Sequence, residues 1–338
     1  MNWKSRVQNY PFLWRLTKGS PSPVGWVGFG YISLFFAKTF SPRLPPVLVL
    51  SLPRSGSSWV GEILGNATNA LYLREPVTQS NMQQRGENRA ILHVDKDGPD
   101  IALQRYANNA FNGLPDFLPG IIHDVKQWDI KTRSRKKVVI KEVNPLAAGW
   151  LISEFAPQVI FLVRHPAAVA ASYNRLGWRN PHLSDVYSSL NQIHRSNPSK
   201  VRSFSNTNDF WTNQGLMQGG CLSYAMAVLA AYPNTTIVKY EDLCEYPTEH
   251  FRKLFRSTGL TWSSQSEKMI QEKTSSNDQK GAYSTSRDSK SMPWAWTKHV
   301  SREEVNRLRT AFSGFSLPWY TSDDDWFAGF CSASFDNG

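Results

Sequence analysis

Between Pro46 and Asn66 the chain reads Pro-Val-Leu-Val-Leu-Ser-Leu-Pro-Arg-Ser-Gly-Ser-Ser-Trp-Val-Gly-Glu-Ile-Leu-Gly-Asn, and this stretch constrains the fold more than any other. Its first part is a Val- and Leu-rich run ending at Pro53, the pattern of a strand buried on both faces. A short loop of small hydroxyl residues follows, holding Arg54, Ser55, Gly56, Ser57 and Ser58. Trp59, Val60, Ile63 and Leu64 then recur at helical spacing. A buried strand, a tight loop and a helix start make an anion cradle. Loop amides and the positive end of the helix dipole converge there, and Arg54 adds a full charge. The matching guest is a phosphate or a close chemical relative. The same residues also suit a strand followed by a Ser-rich helix cap, since Ser57 or Ser58 caps well in any protein.

A nucleoside-triphosphate loop needs Gly-x-x-x-x-Gly-Lys-Ser/Thr, and no Gly-Lys-Ser or Gly-Lys-Thr follows here. A second strand–loop–helix unit comes later in the chain. Gln158 to Val163 is fully apolar after its first residue and ends in Arg164-His165-Pro166. Ala167 to Tyr173 reads as a helix with Pro166 at its first position, where a missing N–H does no harm. Ser172 lies about 9 Å along the helix axis from Pro166, so Arg164 and Ser172 can converge on a second phosphate. The alternative is a surface Arg beside a helical Ser that bonds its own backbone.

Pro53-Arg-Ser-Gly-Ser-Ser-Trp59 resembles the 5′-phosphosulfate loop of sulfotransferases that use 3′-phosphoadenosine 5′-phosphosulfate (PAPS), closest in wording to their carbohydrate-modifying branch. The eight-residue step from Arg164 to Ser172 resembles the pair that binds the cofactor's 3′-phosphate in that family. Thr235 to Leu243, with Tyr246-Pro247 beyond, resembles its strand ending in Tyr-Glu-Asp-Leu. Glu241 and Asp242 are expected there as structural caps or partners of an Arg. Ser284 to Trp296 falls where the family's C-terminal cofactor loop lies, although the Gly-rich form of that loop is missing. The resemblance runs from about Pro46 to about Tyr320.

The resemblance implies PAPS as cofactor and adenosine 3′,5′-bisphosphate as product, with no metal. It implies cofactor contacts from Arg54, Ser55, Gly56, Ser57, Ser58, Trp59, Arg164, Ser172, Arg287 and Lys290. The acceptor it suggests is a hydroxyl of a sugar or glycolipid. Arg54 would act on the leaving group electrostatically, because a guanidinium does not give up its proton at ordinary pH. Glu75, in Tyr-Leu-Arg-Glu-Pro, matches the Glu-Pro step of the carbohydrate branch and is the first candidate for general base. Glu142 is the second, with Lys141 beside it to orient sulfate; His93 and His123 are further possibilities. Read from the residues alone, Glu75 equally suits an ion pair with Arg74 or a loop cap.

Strand candidates at 46–52, 69–73, 136–143, 158–163 and 235–240 alternate with helical patterns at 57–66, 146–154, 167–177, 219–232 and 248–258. Ser301-Arg-Glu-Glu304 opens a further helix with a capping box. This order predicts an α/β, P-loop-like three-layer fold with a central mainly parallel sheet flanked by helices. Ligands in such sheets bind beyond the carboxyl ends of the strands, where Arg54 and Arg164 both fall. Polar insertions at 76–134, with Arg85, Arg89 and Trp128, and at 178–218, with Trp178, Phe210 and Trp211, read as long functional loops. The resemblance implies that they build the acceptor pocket, where Trp and Tyr could stack on sugar rings, although many of the 13 Trp must be core. The expected organisation is an aromatic segment at 1–43, a sulfotransferase-like domain at 44–322 and a tail at 323–338.

The 338 residues carry a net charge of +11. A cofactor with two phosphates and a sulfate would absorb part of that excess. Basic residues are too scattered for a nucleic-acid groove, the one dense run being Lys131 to Lys137. Cys221, Cys244 and Cys331 are odd in number and widely spaced, which predicts neither disulfides nor zinc and fits a reducing, cytoplasmic location. Pro21, Pro23 and several Gly dilute the aromatic stretch at 22–40, so it reads as a segment packed on the fold or lying at a membrane surface rather than a Golgi anchor. Two rivals stand beside this reading. A kinase-like phosphotransferase would need a Walker Lys and an Asp-bound Mg²⁺. A non-catalytic glycan- or membrane-associated binding protein would leave Arg54, Ser172 and the acidic candidates without a role.

Overall fold

A computed structural model of the chain describes residues 23–29, 31–78, 81–82, 93–94, 101–114, 117, 119–178, 183–196, 204–275 and 288–332. Among the described residues five strands build one sheet: β1 (Val47–Ser51), β2 (Ala70–Arg74), β3 (Lys137–Glu142), β4 (Gln158–Val163) and β5 (Thr235–Lys239). The helices are α1 (Tyr31–Thr39), α2 (Ser57–Gly65), α3 (Ile101–Phe111), α4 (Ala148–Phe155), α5 (Pro166–Arg175), α6 (Leu183–Ser196) and α7 (Phe210–Leu229). They continue with α8 (Tyr240–Glu245), α9 (Pro247–Thr258), α10 (Ser264–Thr274), α11 (Arg302–Ser313) and α12 (Asp323–Ser332). Every strand pair is parallel, in the order β2-β3-β1-β4-β5.

Side-chain alternation along the strands sets the layers. Leu48 and Leu50 of β1 share one apolar cluster with Leu71, Ile140 and Phe161, backed by α4, α5, α7 and α11. Val47 and Val49 point into the other, with Tyr72, Val139 and Ile160, under Val60, Ile63, Phe251 and Ile270 of α2, α9 and α10. Both faces are dry, which is why the strands read as continuous apolar runs. The α/β three-layer fold expected from the alternation is the fold observed. Because β1 is central, Leu50 lies opposite both Glu142 and Phe161. The loops leaving β1, β3 and β4 therefore emerge side by side at one edge.

The insertions hold more helix than their polar composition suggests. In α3, Leu103, Tyr106, Ala107, Ala110 and Phe111 are buried at helical spacing within an otherwise polar stretch. α6 buries Leu183, Tyr187, Leu190 and Ile193 in the same way, inside the 178–218 segment expected as loop. α7 starts at Phe210 rather than near 219, with Asp209 accepting from the Thr212 amide at 2.7 Å as its cap. Glycines disguised that helix: a Cβ at Gly215 would stand 2.3 Å from the Leu308 carbonyl oxygen, so the helix needs glycine there to lie against α11. Trp128 and Trp211, weighed as sugar contacts, are core residues, 1% and 4% exposed.

The first and last described segments pack on the domain. Trp326 of α12 is fully buried and donates from Nε1 to the Tyr320 carbonyl at 2.7 Å, so residues 323–332 belong to the core rather than to a trailing tail. At the other end Val24, Val27 and Ala37 are buried, and Trp26 donates from Nε1 to the Trp128 carbonyl at 2.8 Å. Among the described residues no helix is long and apolar enough to cross a membrane.

Candidate active site

The β1–α2 loop is curled by two left-handed residues, Arg54 at φ 68° and Gly56 at φ 91°. Such alternation turns successive amides to one side. Ser51, the last residue of β1, donates from its hydroxyl to Ser57 Oγ at 2.8 Å and ties the strand end to the helix start. Gly56 is the N-cap of α2 and makes no side-chain cap bond to the first-turn amides that a helix cannot satisfy itself. A Cβ at Gly56 would fall 2.4 Å from the Tyr240 ring, so this position requires glycine for space as well as for φ. Ser55 and Ser57 are buried and Ser58 is half-buried. Trp59 is 7% exposed and packs edge-on against Tyr240 and Phe251, at centroid distances of 5.9 and 5.2 Å.

The two phosphate motifs read from the sequence meet. Arg54 donates from Nε to Ser172 Oγ at 2.9 Å, and Arg164 donates from Nη1 to the Arg54 carbonyl at 2.9 Å. The Arg164 guanidinium lies over the Tyr240 ring, 4.3 Å from its centroid. Such contacts contribute about 0.5–2 kcal/mol. Among the described residues Arg164 Nε is buried without a hydrogen-bond partner, and a donor left so costs about 1–3 kcal/mol. Two guanidinium groups and a hydroxyl gathered with an unpaired buried N–H suit an anion of more than one charge. The donor set therefore fits the phosphates of PAPS.

His165, next to Arg164, is a structural peg. Its Nδ1 accepts from the Ala167 amide at 3.2 Å, which leaves the proton on Nε2, 2.9 Å from the Asp325 carbonyl. Trp296 stacks on the ring, and Tyr320 and Trp326 meet it edge-on, each at 4.8 Å. Burial pushes its pKa down to about 3, so the imidazole is neutral at ordinary pH. Glu241 accepts from the His165 amide at 3.0 Å and from the Tyr320 hydroxyl at 2.7 Å, a structural role with an amide and a phenol rather than an Arg as partners.

The carboxylates lie across the edge from Arg54. Glu75 follows β2 at φ 53°, with its amide on the Lys141 carbonyl at 2.7 Å and its carboxylate paired with the Lys141 ammonium. Its partner is thus Lys141, not Arg74. Two strand spacings, about 10 Å, separate β2 from β1. The Glu75 side chain is 23% exposed, whereas that of Lys141 is 3% exposed. Burial holds the Lys141 pKa below its ordinary value. Glu142 is buried; one carboxyl oxygen accepts from the Val77 amide at 2.8 Å and the other has no hydrogen-bond partner among the described residues. Burial raises its pKa to about 8, so at neutral pH it is mostly protonated and ill suited to take a proton. Of the two carboxyl candidates, Glu75 is the one solvent reaches.

Other expected residues lie apart or beyond view. Lys290 lines an open pocket of about 620 Å³ with His165, Lys239, Trp294 and Tyr320. Arg287, Arg85 and Arg89 fall outside the described residues. His93 packs against Tyr224, and the exposed His123 against Tyr72. Tyr240, within the segment that the sequence ties to the fold, is also part of the site. Its signal was position: the aromatic directly after β5, whose Lys239 lies opposite Val163, one residue before Arg164.

The family described as Sulfotransferase domain matches residues 44–313. Similar solved structures include a sulfotransferase domain from the curacin biosynthetic pathway, with 16% identity and a TM-score of 0.46 over 81% of this chain and 99% of that one. A mouse sulfotransferase complexed with PAP has 12% identity and a TM-score of 0.41 over 90% and 94%. A sulfotransferase from Mycobacterium avium has 12% identity and a TM-score of 0.45 over 85% and 80%. No curated protein matches the chain.

Proposed function

The chain belongs to the sulfotransferase family and is a PAPS-dependent enzyme, and on that footing we propose that it sulfates a hydroxyl of a carbohydrate or glycoconjugate through the Arg54–Ser172–Arg164 cluster. Residues 44–322 are the catalytic unit in this reading, with the 76–134 and 178–218 segments walling the acceptor. The observation that carries it is the chain of contacts from Ser172 Oγ through the Arg54 side chain and carbonyl to Arg164 Nη1, with Arg164 Nε buried and without a hydrogen-bond partner among the described residues.

PAPS supplies the activated sulfuryl group. The amides of residues 55–59 and Arg54 hold its 5′ end, while Arg164 and Ser172 take the 3′-phosphate. Arg54, fixed by Ser172, would supply a permanent charge to stabilise the negative charge that develops on the leaving bisphosphate. A donor already in place needs no rearrangement when that charge develops.

Glu75 takes the acceptor's proton. Its ion pair with Lys141 holds the carboxylate in place, and its partial exposure leaves a path for a hydroxyl. Glu142 stays largely neutral beneath them. The Arg-Ser-Gly-Ser-Ser wording at 54–58 and a carboxylate base favour a sugar hydroxyl over a phenol. A transfer screen with radiolabelled PAPS over sugars, glycolipids and phenols tests this choice. Labelled sugar or glycolipid is the expected product; label on phenols alone would overturn the acceptor class.

A further inference from the structure

Helix α1 is bound to the domain on one side and bare on the other. Ala37 is buried, and Arg133, itself 1% exposed, donates from Nη1 to the carbonyls of Ala37 at 2.6 Å and Phe40 at 2.8 Å. Those bonds satisfy the helix's last carbonyls and lock its end in place. The opposite face exposes Tyr31 by 60%, Ile32 by 49%, Phe35 by 67% and Phe36 by 40%, and Phe40 and Leu44 extend it. Phe36 packs on both Phe35 and Phe40, at 5.9 and 6.3 Å, making a continuous aromatic ridge. A ridge of this kind held rigidly in water marks an interaction surface.

Charge selects the occupant. No Asp or Glu precedes Glu62 in the sequence. Lys38 and Arg43 are exposed at the ridge, and so are Lys131 and Arg135 on either side of the bracing Arg133. Within residues 124–136 five cations face two acids, Asp124 and Asp129. A second copy of this chain would bring like charges together, but a layer of anionic headgroups would neutralise them. Aromatic rings flanked by cations suit the headgroup–acyl boundary. We propose that the exposed face of α1, with Phe40 and Leu44, docks the protein on the surface of a bilayer containing anionic lipid.

The surface attaches at the amino ends of the strands. Phe40 leads into β1, and Arg133 stands four residues before β3. The phosphate cluster lies at the carboxyl edge, about 20 Å away along a six-residue strand. Docking and cofactor binding are therefore separable. Vesicles of phosphatidylcholine alone, and of phosphatidylcholine with phosphatidylserine, would be sedimented with the full chain, the Phe35→Glu/Phe36→Glu variant and the Lys38→Gln/Arg43→Gln variant. The wild type should co-sediment with the phosphatidylserine vesicles only. The aromatic variant should lose that binding, and the charge variant should lose on the order of tenfold, each with unchanged affinity for adenosine 3′,5′-bisphosphate. Absence of wild-type binding to the anionic vesicles would overturn the proposal. So would binding that survives Phe35→Glu/Phe36→Glu, or a wild-type dimer in solution that only this variant dissolves.

Discussion

Arg54 donates from its side chain to Ser172 Oγ and accepts through its carbonyl from Arg164, each at 2.9 Å, so one residue joins two motifs more than a hundred positions apart. Neither half of the phosphate site is independent of the other. Ser172→Ala should remove a ligand contact and release the Arg54 guanidinium together. A hydrogen bond to a charged group contributes about 1.5–3 kcal/mol, so affinity for adenosine 3′,5′-bisphosphate should fall at least tenfold. Calorimetry on Ser172→Ala giving wild-type affinity would separate Ser172 from the site.

Gly56→Ala should damage the loop on two counts. The residue sits at φ 91°, and its new methyl would press on the Tyr240 ring that carries Arg164. Left-handed strain and overpacking together should cost about 2–4 kcal/mol of stability. Bisphosphate binding should weaken as well. A chemical unfolding midpoint equal to wild type would show that the loop relaxes freely.

Much of this was legible because dry parallel strands and ligand loops carry dense signals. The run at 47–51, the Arg54 loop, and the Arg164–Ser172 step each combine an apolar strand with residues that have few other uses. The helices α3, α6 and the start of α7 were hidden for a physical reason. The apolar stripe of α3 is narrow, and the start of α7 buries the polar Asn213, Gln214 and Gln218 and carries Gly215 where it meets α11, so composition looked like loop. Glu75's partner was equally hidden. Arg74 adjoins it in sequence, but β2–β3 pairing sets Arg74 opposite Lys141 and brings the Lys141 ammonium to Glu75 instead. That register is a tertiary fact.

Glu142 predicts a pH dependence of stability. Folded, it keeps its proton up to about 8; unfolded, a Glu releases it near its ordinary, lower value. The folded state therefore binds the extra proton between those values, and stability contributed by this group falls as pH rises through about 8. Glu142→Gln keeps an acceptor for the Val77 amide and should flatten that decline, by about 1–3 kcal/mol between mildly acidic and alkaline buffer. Urea unfolding across this range should show the difference; parallel wild-type and variant curves would contradict it.

Glu75→Gln keeps an oxygen for Lys141 but cannot take a proton. Turnover should fall about 10²–10⁴-fold, the contribution of a positioned base, while bisphosphate affinity stays near wild type. Near-normal turnover would move the role to another group.

The account rests most heavily on the two arginines as one phosphate site. Isothermal titration of adenosine 3′,5′-bisphosphate, with chelator present, into wild type, Arg54→Ala and Arg164→Ala is the direct measurement. The wild type should bind it without metal and in preference to ATP, and each variant should bind at least about tenfold more weakly. Unchanged affinity in both variants would contradict the assignment of this cluster to the cofactor.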